Sequence, residues 1–452
     1  MTLFSRFRRV SRPAGVRRVR LGLEYLEDRQ LLSAVALTTP PALPNALVNR
    51  IAQAEFVQDN GQLTRTDVIN LLDVVDGTET ATFSQGQVSF TAVSNPATAT
   101  PLGDHRLDAL QTLVQDAPQW GLTPDVANLA GKVVNYSAAT EHYQGHKLLA
   151  SGALAAGDPV GDVQDLVNKW FNGGDLPAIG IKGVKYEVAQ GSLFGPNGPS
   201  PSDVAQGAGA DCYFMSTLAE TALKTPQVIQ NMFIDDGNGI YTVRFFQYDS
   251  TSGSWQPDYV TVNSELPVNK QGQFVFANAD FGGQATDYTS SSNVLWVALA
   301  EKAYAQLAEE GWSRAIGTTD GSGTSSNPPG QANAYSTLDY GRNLVAEQQI
   351  TGSANGSWVS FPATNQKTSQ NNLAAIFTEF QNGDLVTFAT NATVEQSTGL
   401  IGYHVYSMTG YNAKKGTVTL TNPYWNNGQK VVTVNLDVLE ENTQGAAVIV
   451  PN

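Results

Sequence analysis

QGAGADCYFM, residues 206–215, contains the only cysteine among the 452 residues of this chain. After Cys212, the run CYFMSTLAETALKT has apolar residues at helical spacing until Pro226, which cannot continue a helix. We therefore predict that Cys212 lies in the first turn of a mostly buried helix. Amide N–H groups and the helix macrodipole at that position stabilise a thiolate, which predicts a lowered pKa. The alternatives for a lone cysteine are a buried filler residue and an intermolecular link.

A thiol nucleophile needs a base, and His404 is the candidate. The runs HVYSMTGY and GTVTLTNP flank a short polar loop, which predicts a hairpin. With the loop at 412–414, Tyr411 pairs with Lys415, and His404 lies directly opposite Asn422, which can orient the imidazole. A shift of one residue in the register would put the two side chains on opposite faces, and an ordinary hairpin is the alternative. The other histidines lie upstream: His105, His142 and His146.

The order Cys, His, Asn is that of a nucleophile, a base and an orienting residue. Residues from about 194 to 452 resemble the protease core of the calpain family of papain-like cysteine endopeptidases. The resemblance implies an α+β fold with a helical lobe and an antiparallel β lobe. It is carried by LFGPNGPSPSDVAQGAGADCYFMSTLAE, IYTVRFFQYD, ELPV, LWVALAEKAYAQL, GYHVYSMTGY and TNPYW.

The resemblance also implies a role for each site residue. Cys212 would be the nucleophile, His404 the general base and acid, and Asn422 the residue that orients His404. Gln206 would donate its side-chain amide, with the Cys212 backbone N–H, to the oxyanion. Two positions depart from the family pattern: Ala210 replaces a glycine, and Tyr424 stands between Pro423 and Trp425.

Calcium is the one cofactor that the resemblance suggests. The catalytic chemistry itself requires no cofactor. Asp203 and Glu301 match acidic positions that the family associates with a calcium site; solvated acids or ordinary ion pairs are the alternative. In DNGQLTRTD, Asp67 matches the last ligand of an EF-hand loop, but Phe56 occupies the first, so we expect no calcium there. We expect His142 and His146 to be exposed and unliganded, because the helix that would pair them is weakened by glycine.

The N-terminal segment differs from the rest in charge. The first 30 residues contain eight arginines and three acids, whereas the remainder has 18 basic and 38 acidic residues. Within it, LEDRQLLS (26–33) resembles the LExR-x-LL element of exported or surface-attached bacterial proteins. We therefore expect an extracellular or cell-envelope protein with possible attachment to the cell surface; a solvated basic arm is the alternative.

Four regions are predicted: a basic leader (1–36), a linker-rich helical accessory region or propeptide (37–185), the cysteine lobe (186–335) and the histidine/asparagine lobe (336–452). In the accessory region, LTRTDVINLLDVV, RLDALQTLVQDA and DVANLAGKVV have helical periodicity. The acidic body argues against nucleic-acid binding, and no window approaches the ~18 apolar residues of a membrane span. We expect a monomer that acts on proteins or peptides.

Three functions fit the sequence. The first is a calpain-like cysteine endopeptidase, which uses all four of Cys212, His404, Asn422 and Gln206. The second is a non-catalytic calpain-like module for binding or anchoring, which needs none of them. The third is a thiol acyl transferase of the transglutaminase type, which the spacing from Gln206 to Cys212 disfavours.

Overall fold

A computed structural model describes the chain over ten ranges. Residues 1–38, which include the LEDRQLLS element, and Trp425 lie outside the described residues. From Pro41 to Asn452 the chain forms a single unit by its internal contacts. The described ranges are 39–94, 103–135, 142–148, 154–155, 158, 160–278, 286–312, 333–361, 366–424 and 430–451.

Helices dominate the first described region, and the three helices predicted there from periodicity are confirmed. Local signals set their ends: Thr64 and Asp67 form a reciprocal capping box, and Gly77 ends the same helix with a left-handed conformation, φ 86°. His142 and His146 lie on a short hairpin rather than on one helix face. The elements are α1 (Ala46–Gln58), α2 (Arg65–Asp76), β1 (Glu79–Ser84), β2 (Gln87–Ala92), α3 (Asp104–Gln115), α4 (Pro124–Val134), β3 (His142–Tyr143), β4 (His146–Lys147) and α5 (Val160–Trp170).

The next region surrounds a buried helix that starts at Cys212. Its strands form an antiparallel sheet in the order β6-β7-β8 and a separate β5-β9 pair. The elements are β5 (Lys185–Val188), α6 (Cys212–Lys224), α7 (Pro226–Gln230), β6 (Phe233–Gly237), β7 (Ile240–Asp249), β8 (Ser254–Asn263), β9 (Glu265–Val268), α8 (Trp296–Gln306) and α9 (Asn343–Thr351).

A six-stranded antiparallel sheet forms the last region, in the order β10-β15-β11-β12-β13-β14. The strand β12 lies against α6, so the sheet that carries His404 meets the helix that carries Cys212. The elements are β10 (Gly356–Ser360), α10 (Gln366–Asn382), β11 (Leu385–Thr390), β12 (Val405–Asn412), β13 (Thr417–Thr421), β14 (Val431–Asn435), α11 (Leu436–Asn442) and β15 (Thr443–Ile449).

Three apolar cores stabilise these regions. The central core is built around α6 and α8, where Phe214 stacks on Tyr304 with ring centroids 4.1 Å apart. It also takes in Val405 of β12, so it joins the region around α6 to the six-stranded sheet. The helical region has its own core, which extends to Tyr259 of β8, and the third core fills one face of the six-stranded sheet. The predicted α+β fold class is confirmed.

None of the helices among the described residues is both long and apolar enough to cross a membrane.

Candidate active site

The loop from Gln206 to Asp211 is held against a neighbouring loop by its backbone. The Ala205 N–H donates to the Asn278 carbonyl at 3.0 Å, and the Ala208 N–H donates to the Val275 carbonyl at 2.9 Å. A Cβ on Gly207 would lie 2.4 Å from the Phe276 carbonyl oxygen, closer than any side chain can approach. Glycine is therefore required there by close packing of two backbones.

The helix α6 begins at Cys212, as the sequence predicted. The predicted lowering of the Cys212 pKa is wrong. Burial raises the pKa of the Cys212 thiol to about 12, and the neighbouring Asp211 carboxylate acts in the same direction. Backbone amides of Val405, Tyr213 and Cys212 itself oppose this rise, but loss of solvent outweighs them.

His404 and Asn422 are joined by a hydrogen bond of 2.7 Å between His404 Nε2 and Asn422 Oδ1. The Tyr424 N–H also donates to Asn422 Oδ1, at 2.8 Å, which identifies that atom as the acceptor. Because an amide oxygen only accepts, Nε2 carries the proton of a neutral ring, and Nδ1 keeps a free lone pair. Burial lowers the pKa of His404, which favours this neutral form.

The hairpin reaches this geometry by a different register from the predicted one. Asn412 pairs with Thr417 across a turn at 413–416, so the pairing of Tyr411 with Lys415 is wrong. That register alone would put His404 and Asn422 on opposite faces of the sheet. The register shifts between Met408 and Gly410, and this β-bulge at Thr409 restores the common face.

Backbone contacts bring the two halves of the site together. The Gln206 N–H donates to the Pro423 carbonyl at 2.7 Å, next to Asn422. The Cys212 thiol lies beside the amide of Val405, next to His404. Within the described residues the His404 ring is bonded to Asn422 and not to the Cys212 sulfur.

The side chain of Gln206 points back into its own loop. Its Nε2 donates to the Gly209 carbonyl at 2.6 Å, while its Oε1 is buried without a hydrogen-bond partner. A primary amide has two N–H donors, and the Asp211 carboxyl group is a neighbouring acceptor for the second one.

Two aromatic rings lie near the imidazole of His404. The ring of Tyr406 packs edge-on with centroids 5.0 Å apart, and the ring of Tyr424 lies at 6.5 Å. Tyr424 therefore supplies a ring beside the His–Asn pair from the position that departs from the family pattern.

The other departure, Ala210, is accommodated by backbone contacts. Its N–H donates to Asp339 Oδ1 at 2.9 Å, and its carbonyl accepts from the Tyr340 N–H at 3.1 Å. Neither contact uses the Cβ, so alanine fits where the family has glycine. No local pattern pointed to Asp339, because it lies 129 residues from Ala210 along the chain.

Asp203 and Glu301, the predicted calcium ligands, have different neighbours. Asp203 Oδ2 accepts from the Ser200 N–H at 2.8 Å and from Trp296 Nε1 at 2.9 Å. Glu301 Oε2 accepts from the Ala277 N–H at 2.8 Å. Burial, together with the adjacent Asp211 carboxylate, raises the pKa of Glu301. These hydrogen bonds use Oδ2 of Asp203 and Oε2 of Glu301, and calcium binding by the two residues stays a prediction.

A second acidic group lies in the segment where the sequence argued against calcium. Carboxylate oxygens of Glu55, Asp59 and Asp67 lie within 4.8 Å of one another. Glu55 precedes the stretch that resembles an EF-hand loop, so that pattern did not point to it. Gln58 donates to Glu55 and the Thr64 N–H donates to Asp67, so both acids have ordinary protein partners.

A family model matches the part of the chain that contains Gln206 and Cys212. Residues 185–320 match the family described as calpain family cysteine protease. Calpain-13 of Rattus norvegicus is 24% identical over 62% of this chain and 36% of its own length. The calpain-2 catalytic subunit of Gallus gallus is 26% identical over 50% of this chain and 27% of its own. Calpain-14 of Homo sapiens is 33% identical over 23% and 14%.

The chain thus spans at most 36% of the length of these three relatives. The matched range contains Gln206, Cys212 and Glu301, and it ends before His404 and Asn422. The family predicted from the cysteine region is confirmed over that range. Residues 185–320 are therefore similar to the calpain family cysteine protease domain.

Proposed function

We propose that this protein is a cysteine endopeptidase that hydrolyses peptide bonds of proteins with Cys212, His404, Asn422 and Gln206. The observation that carries the proposal is the 2.7 Å bond from His404 Nε2 to Asn422 Oδ1. It leaves Nδ1 unprotonated on a ring that adjoins Val405, whose amide contacts the thiol. A base next to a thiol and oriented by a third group is the arrangement that nucleophilic catalysis needs.

In the first step, the Cys212 sulfur attacks the carbonyl carbon of the scissile bond. The raised pKa of Cys212 and the lowered pKa of His404 keep both groups neutral before substrate binds. The thiol proton therefore passes to His404 Nδ1 during the attack, so His404 acts as a general base. The Asn422 oxygen accepts from Nε2 throughout and stabilises the imidazolium that forms.

The tetrahedral intermediate then collapses and the C–N bond breaks. His404 Nδ1 returns its proton to the leaving amine, which leaves an acyl group on the Cys212 sulfur. Water attacks that thioester, losing its proton to Nδ1, and the sulfur leaves as the proton returns to it. The products are a carboxylic acid and a regenerated thiol.

The oxyanion of each intermediate needs donors. The Cys212 N–H, at the first turn of α6, and the second Nε2–H of Gln206 are the candidates. Removing one such donor typically costs about 10²- to 10³-fold in rate. Gln206→Ala is expected to lower kcat by that factor while Cys212 still reacts with a small alkylating agent.

Labelling and turnover test the proposed function together. Full-length protein is treated with an irreversible epoxide directed at cysteine proteases, and the modified residue is identified by mass spectrometry. We expect one label at Cys212, none in Cys212→Ala, and cleavage of a peptide library that disappears with the label. Absence of labelling with and without calcium would contradict the protease and favour a non-catalytic binding module.

The acyl-transferase alternative has its own outcome in the same experiment. A label at Cys212 without hydrolysis of any peptide, but with transfer of an acyl group to an added amine, would favour it. Both reactions pass through the same thioester, and they differ in whether water or an amine attacks it.

Calcium dependence remains a proposal that the same assay can test. No catalytic step is routed through calcium, because the chemistry itself requires no metal ion. A cleavage rate that falls on chelation and returns with CaCl2 would support it, and an unchanged rate would contradict it.

We also propose that the protein is exported as a monomer, on the basis of the LEDRQLLS element and the acidic body. Fractionation of expressing cells, with Leu31 and Leu32 replaced by Asp, tests the export element. Sedimentation of the purified chain tests the monomer.

A further inference from the structure

Tyr340 and Tyr403 combine two features that large side chains rarely show together. Their side chains are 77% and 74% exposed, more than any other large apolar or aromatic side chain among the described residues. Both also have a left-handed backbone, with φ of 64° and 51°. The other non-glycine residues with positive φ in the described ranges are asparagine or glutamine. Bulky residues avoid this conformation for steric reasons, and core packing does not explain it for exposed rings.

Tyr340 is held beside the segment that carries Cys212. Its N–H donates to the Ala210 carbonyl at 3.1 Å. The next residue, Gly341, packs so closely on the ring of Tyr213 that a Cβ there would collide with it. The backbone of Tyr340 is therefore fixed by contacts to residues on both sides of the nucleophile.

Tyr403 is held directly before the histidine. Its N–H donates to the Asn391 carbonyl at 2.9 Å, and the His404 N–H donates to Thr390 Oγ1 at 2.9 Å. A Cβ on Gly402 would collide with the backbone carbonyl of the residue that follows Asn391. The chain on either side of Tyr403 is thus fixed, and the exposed ring is attached to a backbone that has little freedom to shift.

Both tyrosines lie beside the place where a substrate peptide must bind. In the proposed mechanism, the peptide bond that is cut lies between the Cys212 sulfur and the His404 ring. An extended peptide advances only about 3.3–3.6 Å per residue, so the substrate residues next to that bond pass Tyr340 and Tyr403. Ile401, which is 38% exposed, adds apolar surface two residues before Tyr403.

We propose that Tyr340 and Tyr403 determine specificity by packing their rings against a large apolar or aromatic side chain next to the scissile bond. This role rests on the proposed function, because the ligand is the peptide held between Cys212 and His404. Aromatic rings offer a large apolar contact area with few rotatable bonds. Strained backbone positions cluster at ligand-binding sites, where the use of the side chain offsets their cost.

Cleavage of host peptides tests this specificity. The peptides are alanine-rich and differ at one central position, which is Phe, Leu, Lys, Asp or Ala. We expect full-length wild type to cut the Phe and Leu peptides next to that residue, with kcat/KM at least about tenfold above the value for the Ala peptide. Mass spectrometry of the products locates the bond that is cut.

Variants that keep the backbone conformation isolate the contribution of the rings. Glycine removes the ring and adopts the left-handed backbone without a steric penalty. Tyr340→Gly and Tyr403→Gly should each reduce the Phe-to-Ala ratio of kcat/KM, and the double variant should bring it close to one without lowering the thermal midpoint. Tyr340→Phe and Tyr403→Phe should keep the ratio, because the rings remain. Tyr248→Ala, at another exposed tyrosine, is the control and should not change the ratio.

Peptide binding separates this inference from the proposed function. Fluorescence anisotropy gives the affinity of full-length Cys212→Ala for labelled Phe and Ala peptides. If wild type cleaves no peptide, but Cys212→Ala prefers the Phe peptide and loses that preference with both glycine substitutions, the proposed hydrolysis fails and the role of the tyrosines stands. Equal use of the Phe and Ala peptides, a preference for Lys or Asp, or an unchanged preference in the double glycine variant would overturn that role.

Discussion

At the scale of the residue, the chemistry of Cys212 depends on which charge state its surroundings favour. Burial raises the pKa of its thiol and lowers the pKa of His404, so a neutral pair is favoured before substrate binds. This differs from an enzyme whose thiolate is preformed at the start of a helix. The difference is open to measurement because the chain has a single cysteine.

We predict that alkylation of Cys212 by iodoacetamide is slow at pH 7 and rises continuously towards pH 10. A thiol with a pKa of about 12 is almost fully protonated throughout that range, and each unit of pH increases the thiolate population about tenfold. Mass spectrometry of the intact protein gives the rate, with glutathione as the reference thiol. A rate that is already constant between pH 5 and pH 8 would indicate a preformed thiolate and contradict the neutral pair.

Replacing the partner of His404 is expected to affect turnover more than substrate binding. In Asn422→Ala, Nε2 loses its acceptor, and the ring is free to adopt the other tautomer. We expect kcat to fall by up to ~10²- to 10⁴-fold, the range that positioned acid–base catalysis supplies, with little change in KM. The exposed Thr433→Ala on β14 is the control. An equal loss in both variants would point to damage of the sheet.

At the scale of the element, the loop before α6 depends on one glycine. A Cβ on Gly207 would collide with the backbone of Phe276, so Gly207→Ala must displace the loop that carries Gln206. We expect at least tenfold lower kcat/KM in a protein that remains folded. Gly161→Ala in α5 is the matched control, since a Cβ there meets no atom within 4 Å. It should be neutral or stabilise by about 1 kcal/mol.

The helix α9 carries a buried acid that makes stability depend on pH. Burial raises the pKa of Glu347 to about 8 from its ordinary 4.5. The folded protein therefore holds a proton that the unfolded chain releases, and this contribution to stability is complete below pH 4.5 and is lost as pH rises through 8. Glu347→Gln should raise the urea midpoint at pH 9 and change it little at pH 4.5.

The exposed Glu441→Gln is the control for Glu347→Gln and should alter neither midpoint. If Glu347→Gln destabilises the protein at pH 9, the hydrogen bond that Glu347 accepts from Thr387, at 2.6 Å, outweighs the cost of burying the charge.

At the scale of the whole molecule, the helical region (α1 to α5) is bound to the following region, which contains α6 and α8, by buried contacts. Lys132 of α4 is paired with Asp258 at 2.9 Å and Glu310 at 2.8 Å, and Lys169 of α5 pairs with Glu309. Tyr259 of β8 belongs to the core of the helices. Such an interface resembles a permanent domain contact more than a removable propeptide.

We therefore predict that a chain beginning at residue 185 is less stable and no more active than the full chain. It exposes Tyr259 and leaves the carboxylates of Asp258 and Glu310 without Lys132, and an unpaired buried charge typically costs about 3–5 kcal/mol. Thermal unfolding and peptide cleavage of both lengths give the comparison. Asp258→Asn with Glu310→Gln should recover part of the loss in the short chain. Faster cleavage with an unchanged melting temperature would instead identify an inhibitory propeptide.

The sequence by itself determined what depends on neighbours along the chain. The spacing of apolar residues and Pro226 define the extent of α6, and the capping box at Thr64 defines the start of α2. Each of these signals acts within a few residues. The sequence also singled out His404 and Asn422, whose side chains the structure joins. These features could be predicted because short-range sterics and hydrogen bonding decide them.

Only the tertiary structure decided what depends on distant contacts. The bulge at Thr409 determines that His404 and Asn422 share a face of the sheet. No local sequence pattern predicts this extra residue in β12. The thiol pKa rises because α6 is packed beneath β12, whereas the helix terminus alone predicted a fall. Burial and register are properties of the assembled fold, since both require segments far apart in sequence.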